Sequence, residues 1–318
     1  MQSDPNFDIH PDMAELVAAK LAVPQSAEAN SWRVSWNEYG ARLQRPYPDG
    51  MVVEDTAFAV AGTTARNIAL RIYRPRNAPR PSPCVLYVHG GGFVKGSLES
   101  GDAIAWGIAE QVGVVVVSVD YRLAPEHPYP AAVEDCYAAA GYISWHGPAL
   151  GVDDTRLAVW GDSAGGNLAA ALCLMARDRG EPRIVAQVLN YPTLTDALNS
   201  NSYRDFALSP GLTTASMERN WDLYLGGKRP SDEPYAAPLK APDLGGLPPA
   251  HIHVAEIDPL ADDGRMYAQR LESAGCPVEL RVAERMIHGF LRARFTGPAA
   301  AAEFARPCAF LTSALFEN

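Results

Sequence analysis

Short apolar runs recur along the chain from Val52 to about Val282, and stretches with helical spacing separate the later ones. Ile68, Leu70 and Ile72 alternate with Ala69, Arg71 and Tyr73, which predicts a strand with one half-exposed face. Val114-Val115-Val116-Val117 has no polar position and reads as a strand buried on both faces. Strand-like runs lie near 52–59, 67–73, 84–88, 114–119, 157–160, 185–190, 250–256 and 278–282. Helical spacing occupies 100–111, 131–145, 164–178, 260–274 and 298–316. The alternation predicts an α/β fold: eight mostly parallel strands with helices on both faces.

Two segments stand outside this rhythm. Residues 1–50 read as helical, with Met13, Leu16, Val17 and Leu21 on one amphipathic face and a second apolar cluster of Trp32, Val34, Trp36 and Tyr39. Such helices must pack on the main domain, 51–318, and are expected to form part of a cap over its functional edge. The second segment lies between Tyr191-Pro192 and the strand at His251, about sixty residues, too long for an ordinary connection. It contains a helix-like run from Thr213 to Leu225. An insertion that follows a strand's C-terminal end overhangs that edge, so about 195–248 reads as a further part of the cap.

Composition narrows the class. With 318 residues and 47% hydrophobic content, the chain can bury a full core. A formal net charge of −10 argues against nucleic acid and anionic membranes as partners. The acidic N-terminus lacks an apolar stretch, so no secretory signal is read, and no window is long enough to span a bilayer. Five scattered cysteines, an odd number, fit a reducing cytoplasm better than a disulfide framework.

The chemistry concentrates at strand ends. Leu157-Ala158-Val159-Trp160 leads into Gly161-Asp162-Ser163-Ala164-Gly165-Gly166, which opens a helix-like run. Gly-x-Ser-x-Gly between a strand and a helix forces a sharp turn with the serine exposed at its apex; alone, the pentapeptide also arises by chance. Upstream, Cys84-Val85-Leu86-Tyr87-Val88 runs into His89-Gly90-Gly91-Gly92-Phe93, where consecutive glycines leave backbone N–H groups free to face a cavity. A phosphate cradle is a poor alternative, because no Gly-Lys-Ser/Thr follows. Downstream, Asp258 ends the strand through His251 and His253, and His288 follows the strand through Val282. In isolation His288 would read as a surface-loop histidine. With Ser163 and Asp258 in order, each after a different strand, the three can converge on one sheet edge as nucleophile, base and acid.

Other histidines are weaker candidates. His251 and His253 share one face of a strand, as metal-ligand pairs often do, but no third ligand has convincing spacing and packing is the preferred reading. His127 precedes the serine in a Pro-rich loop; with Arg122 and Glu126 it is expected to brace the glycine loop. Asp162 is expected to anchor the turn, and His89 to hold the glycines.

His89 to Phe93, Asp120-Tyr121-Arg122-Leu123-Ala124-Pro125-Glu126-His127-Pro128, Gly161 to Gly166, Asp258-Pro259-Leu260 and His288-Gly289-Phe290 resemble, in order, the bacterial hormone-sensitive-lipase family of carboxylesterases. The similarity runs from about residue 50 to the C-terminus, and the Gly-Asp-Ser-Ala-Gly spelling points to one subgroup. The resemblance implies an α/β-hydrolase fold, an oxyanion hole from the N–H groups of Gly91, Gly92 and Ala164, and no metal or cofactor. Ala261-Asp262-Asp263-Gly264 departs from the arginine that often follows the family's Asp-Pro-Leu.

The expected reaction is hydrolysis of short- to medium-chain acyl esters through an acyl-serine. The same apparatus could serve amides or lactones, and relatives of this fold act as small-molecule receptors, although such receptors lack the histidine. Phe93, Phe206, Leu208, Leu212 and Trp221, with Met217 and Tyr224, are candidates for the pocket wall. The expected partner is a small-molecule ester, with no nucleic acid and no membrane insertion; a homodimer is left open.

Overall fold

The computed structural model describes residues 7–23, 29–60 and 66–317. Two helices, α1 (Ala14–Leu21) and α2 (Ala29–Arg42), precede the sheet. Then come β1 (Met51–Val60), β2 (Arg66–Pro75), β3 (Ser82–Val88), α3 (Leu98–Val112), β4 (Val115–Asp120), α4 (Ala131–Leu150), β5 (Val152–Asp162), α5 (Ala164–Arg179) and β6 (Ala186–Asn190). The long interval that follows holds α6 (Asn201–Asp205) and α7 (Thr214–Tyr224), before β7 (Ala250–Ile257), α8 (Ala261–Ser273), β8 (Val278–Ile287) and α9 (Pro298–Phe316). The strands join in one sheet of order β1-β2-β4-β3-β5-β6-β7-β8. β2 runs antiparallel to β1 and β4, and from β4 to β8 every neighbour is parallel. Parallel strands place their C-terminal ends on one edge, where the loops carrying Ser163, Asp258 and His288 emerge.

Side-chain alternation builds two cores. Leu86, Val88, Val115 and Val117 join residues of α4, α5 and α8 on one face of the sheet. Val85, Tyr87, Val116 and Trp160 join α3 and α9 on the other. Helix α3 begins in a capping box formed by Ser97 and Ser100 and ends at Gly113, whose φ of 75° suits glycine.

Tyr73 departs from the expected half-exposed face of β2. It is fully buried, because α3 covers that end of the strand and Asp102 accepts its hydroxyl at 2.9 Å. Leu16 and Ala19 of α1 are buried with the flanking Met13 and Val23, but Leu21 is 79% exposed. It is the helix's last residue, and the 100° step has carried it off the packed face. Val34 likewise points outward from α2.

The β7 histidines separate to different carboxylates. His251 Nδ1 lies 3.3 Å from Glu279, whereas His253 Nε2 lies 3.0 Å from Glu303, which also receives Arg281 at 2.6 Å. Among the described residues, no group of three His, Cys, Asp or Glu side chains is arranged to hold a metal. Burial is the main force on these rings: it lowers His251 to about 3, with the neighbouring His253 acting in the same direction. Burial also lowers His89 to about 4. Both stay neutral in the fold where the unfolded chain, with histidines near 6.5, already binds protons. Unfolding therefore takes up protons on the acid side, and stability falls as pH drops below the unfolded value. The thermal midpoint should decline between about pH 7 and about pH 4.5, and His251→Gln should lose less over that range. Circular-dichroism melts of both proteins check this; parallel declines would exclude His251 as a contributor.

Candidate active site

Ser163 sits between the end of β5 and the start of α5 with φ 60° and ψ −119°, a strained conformation for a residue with a side chain. The turn is held by Ser163 N–H donating to the Asn190 carbonyl at 2.9 Å and by the Ser163 carbonyl accepting from Asn167 N–H at 3.2 Å. Its two glycines are needed for contact. A Cβ on Gly161 would lie 2.0 Å from the Gly165 carbonyl oxygen, and one on Gly165 would lie 2.0 Å from the Val88 oxygen.

The expected side chains meet at the sheet edge. Ser163 Oγ lies 2.8 Å from His288 Nε2, and His288 Nδ1 lies 2.7 Å from Asp258 Oδ2. Asp258 is fully buried, and its other oxygen accepts the Leu260 N–H at 3.0 Å, which fixes the carboxylate. Tyr191 packs edge-on against the His288 ring with centroids 4.8 Å apart. Gly211 lies against the His288 backbone, where a Cβ would sit 2.7 Å from His288 N.

The glycine loop leaves β3 beside the serine. Gly91 and Gly92 adopt φ of 142° and 62°, and among the described residues their N–H groups donate to no backbone acceptor. Ala164 is the first residue of α5, so its N–H is one the helix leaves unused. Asp162 accepts the Tyr87 hydroxyl at 2.7 Å. Burial pushes its carboxyl above the usual range, against the pull of Arg292 and the Tyr87 hydrogen bond. His89 contacts the Gly90 carbonyl at 3.0 Å and stacks on Tyr121, whose hydroxyl donates to the His89 carbonyl at 2.7 Å.

Of the other expected braces, Arg122 pairs with buried Asp135 at 2.7 Å. Glu126 receives Arg33 of α2 at 2.5 Å, and Arg33 also donates to the carbonyls of Val94 and Ala124. Through its N–H, His127 takes only a local turn bond, to the Leu123 carbonyl. Helix α2 thus clamps the loop from outside, a connection that sequence spacing does not reveal.

Ser163 and His288 open onto a cavity of about 220 Å³. Val23, Trp36 and Tyr39 contribute from the N-terminal segment, and Leu212, Met217 and Asn220 from the interval after β6. Of the proposed wall residues, Leu212 and Met217 are in the lining, whereas Phe93, Phe206, Leu208, Trp221 and Tyr224 are not. Phe93 stacks on Tyr224 at 3.9 Å and tilts against Trp221 at 5.3 Å, so these rings anchor α7 rather than face the cavity. Phe206 meets Phe7 at 6.0 Å, and Leu208 points to solvent. Lys20, Lys95, Arg219 and Arg292 also line the cavity. Sequence reasoning passed over them; the one available signal was Lys95, three residues after Gly92.

Residues 85–292, more than half of the chain, match a family model described as the alpha/beta hydrolase fold. The chain is 41% identical over 266 residues to the carboxylesterase NlhH of Mycobacterium tuberculosis, covering 83% of each protein. It is 32% identical over 302 residues to an ethyl acetate hydrolase of Pseudomonas putida, covering 90% of this chain and 93% of that one. Among solved structures, a thermostable esterase from Pseudomonas putida ECU1011 superposes with a TM-score of 0.90 at 31% identity, covering 98% of this chain and 99% of that one.

The backbone contact at Gly165 gives a stability test. Gly165→Ala must displace either α5 or β3, because the obstructing atom is a carbonyl oxygen and not a side-chain tip. Urea denaturation should show a loss of about 3 kcal/mol or more, or an insoluble product. A loss below about 1 kcal/mol would mean that the helix can move aside cheaply.

Proposed function

The chain belongs to the alpha/beta hydrolase family, in its hormone-sensitive-lipase branch, and is a carboxylic ester hydrolase; from that premise we propose that it works through an acyl-serine formed at Ser163. The observation that carries this reading is the continuous hydrogen-bonded line from Asp258 through His288 to Ser163, at 2.7 and 2.8 Å, opening into a cavity. Neutral His288 takes the Ser163 hydroxyl proton at Nε2 as Oγ attacks the ester carbonyl. The tetrahedral oxyanion is held by the N–H groups of Gly91, Gly92 and Ala164. On collapse, His288 returns the proton to the departing alcohol oxygen, and the acyl group stays on Oγ. Water, deprotonated by His288, then repeats the attack and releases the acid. Asp258 holds the ring with Nδ1–H toward itself and stabilises the imidazolium.

In the same reading, residues 1–50 and about 195–248 act as the cap on a catalytic domain, 51–318. The support is that Val23 and Trp36 from one segment, and Leu212 and Met217 from the other, line one cavity with Ser163. A small, partly apolar cavity suits short to medium acyl chains. The Gly-Asp-Ser-Ala-Gly spelling supports assignment to the subgroup of that name. A cytoplasmic location agrees with five buried, unpaired cysteines. Among the described residues no helix is long and apolar enough to cross a membrane.

Ser163→Ala should lower kcat/KM on an aryl acetate by about 10⁴-fold or more and abolish labelling by an organophosphonate, followed by mass spectrometry. Retained turnover would refute the acyl-serine. Across 4-nitrophenyl esters, kcat/KM should peak at about two to six acyl carbons and fall by about twelve, and Met217→Ala should shift the peak toward longer chains. An unchanged profile in Met217→Ala would remove α7 from the acyl wall.

A further inference from the structure

The net charge of the chain is −10, yet the cavity beside Ser163 is cationic. Lys20, Lys95, Arg219 and Arg292 line it, and Asp162 is the carboxylate among its described lining residues. Asp162 lies at the end of β5 and is already engaged by the Tyr87 hydroxyl.

None of the four cations is neutralised by a carboxylate within ion-pair distance among the described residues. Lys20 Nζ donates to the carbonyls of Pro210 and Gly211 at 2.9 and 2.5 Å, which fixes its position without supplying a counter-charge. Lys95 Nζ stands 4.7 Å over the Trp36 ring, and the Arg219 guanidinium 4.4 Å over Trp32. Arg292 is 7% exposed; it donates one nitrogen to the Ser100 carbonyl at 2.6 Å, while its buried Nη2 has no partner. These contacts orient the cations around the cavity; among the described residues the charge of Asp162 acts on Arg292 and that of Asp258 on Lys20, whereas no carboxylate acts on Lys95. Burial lowers both lysines to about 8; the Asp258 charge opposes the shift of Lys20, whereas the charges of Lys20 and Arg219 press Lys95 further down. A site for a neutral alkyl ester gains nothing from such an arrangement, because like charges brought together in a partly dry cavity repel. An anion among them relieves the repulsion.

We propose that the substrate of this enzyme carries a carboxylate close to the reacting ester group, held by Lys95, Arg219 and Arg292 as Ser163 attacks. The cavity, about 220 Å³ in all, must take acyl, alcohol and anionic parts together, which favours a compact carboxylate. The proposal rests on the reading of this cavity as the ester site. Lys20 helps to set the field from the α1 side.

The test compares matched esters that differ only in charge: 4-acetoxybenzoate with its methyl ester, which puts the anion on the alcohol side, and mono-aryl adipate with its methyl ester, which puts it on the acyl side. At low salt the carboxylate member of at least one pair should be preferred in kcat/KM by about tenfold, and the preference should shrink as salt is raised. Lys95→Gln combined with Arg219→Gln should bring the ratio of charged to neutral substrate to about one or below, and Lys95→Arg should preserve it. Preference for the neutral member in both pairs would overturn the proposal. So would a ratio unmoved by the double substitution, or an equal loss on both members, which would mark the cations as structural. The salt series on the unaltered enzyme keeps the test open if a variant folds poorly. Ester hydrolysis surviving in Ser163→Ala would instead bring down the underlying site reading.

Discussion

The approach of one backbone to another at Gly165 is the contact on which the rest of the site depends. The start of α5 lies directly on the end of β3, so close that no side chain fits between Gly165 and the Val88 oxygen. This contact forces the chain through its turn at Ser163 and holds the residue at a φ of 60°. The same strand end releases the glycine loop, and a Cβ on Gly90 would lie 2.7 Å from the Asp162 oxygen. One close approach therefore sets the proposed nucleophile and the proposed oxyanion donors relative to each other. It involves no flexible side chain, so the geometry exists before substrate arrives, as electrostatic catalysis requires.

Buried acids tie the outer segments to this frame. Asp258 faces His288, and the two aspartates just after it serve the long interval. Asp262 accepts the Ser202 N–H at 3.0 Å, and buried Asp263 accepts the Leu194 N–H at 2.8 Å. Burial pushes Asp263 up to about 8, against those hydrogen bonds. The departure from the family's usual arginine thus sits where β6's outgoing chain docks on α8. On the other side Arg33 fastens α2 to the loop after the glycines, and Lys20 fastens α1 to the chain beside His288. The segments proposed as the cap are held by polar contacts to loops at the functional edge. This arrangement delivers cations to the cavity of an acidic protein.

The strand and helix pattern was legible because period and length suffice for a parallel sheet whose strands are buried on both faces. Val114 to Val117 could hardly be anything else. Tyr73 was misread because burial of its face depends on where α3 crosses, and Leu21 because an amphipathic face drifts along a short helix. Ser163, Asp258 and His288 were legible from motif, order and their places after separate strands. That reasoning works because the sheet delivers strand ends to one edge whatever the intervening sequence.

The sequence by itself determined the sheet, the edge and the residue types that meet there, since these follow from local periodicity and from glycines that tolerate close backbone contact. Only the tertiary structure decided which side chains face the cavity. Phe93 and Trp221 had the composition of a pocket wall, but Phe93 packs against Trp221 and Tyr224 of α7 instead of facing the cavity. Lys20, Lys95, Arg219 and Arg292 come from four distant places, and each looks like an ordinary surface cation in its own stretch of chain. Their convergence depends on the angles at which helices and loops pack, which are global properties of the fold and leave no periodic trace in the sequence.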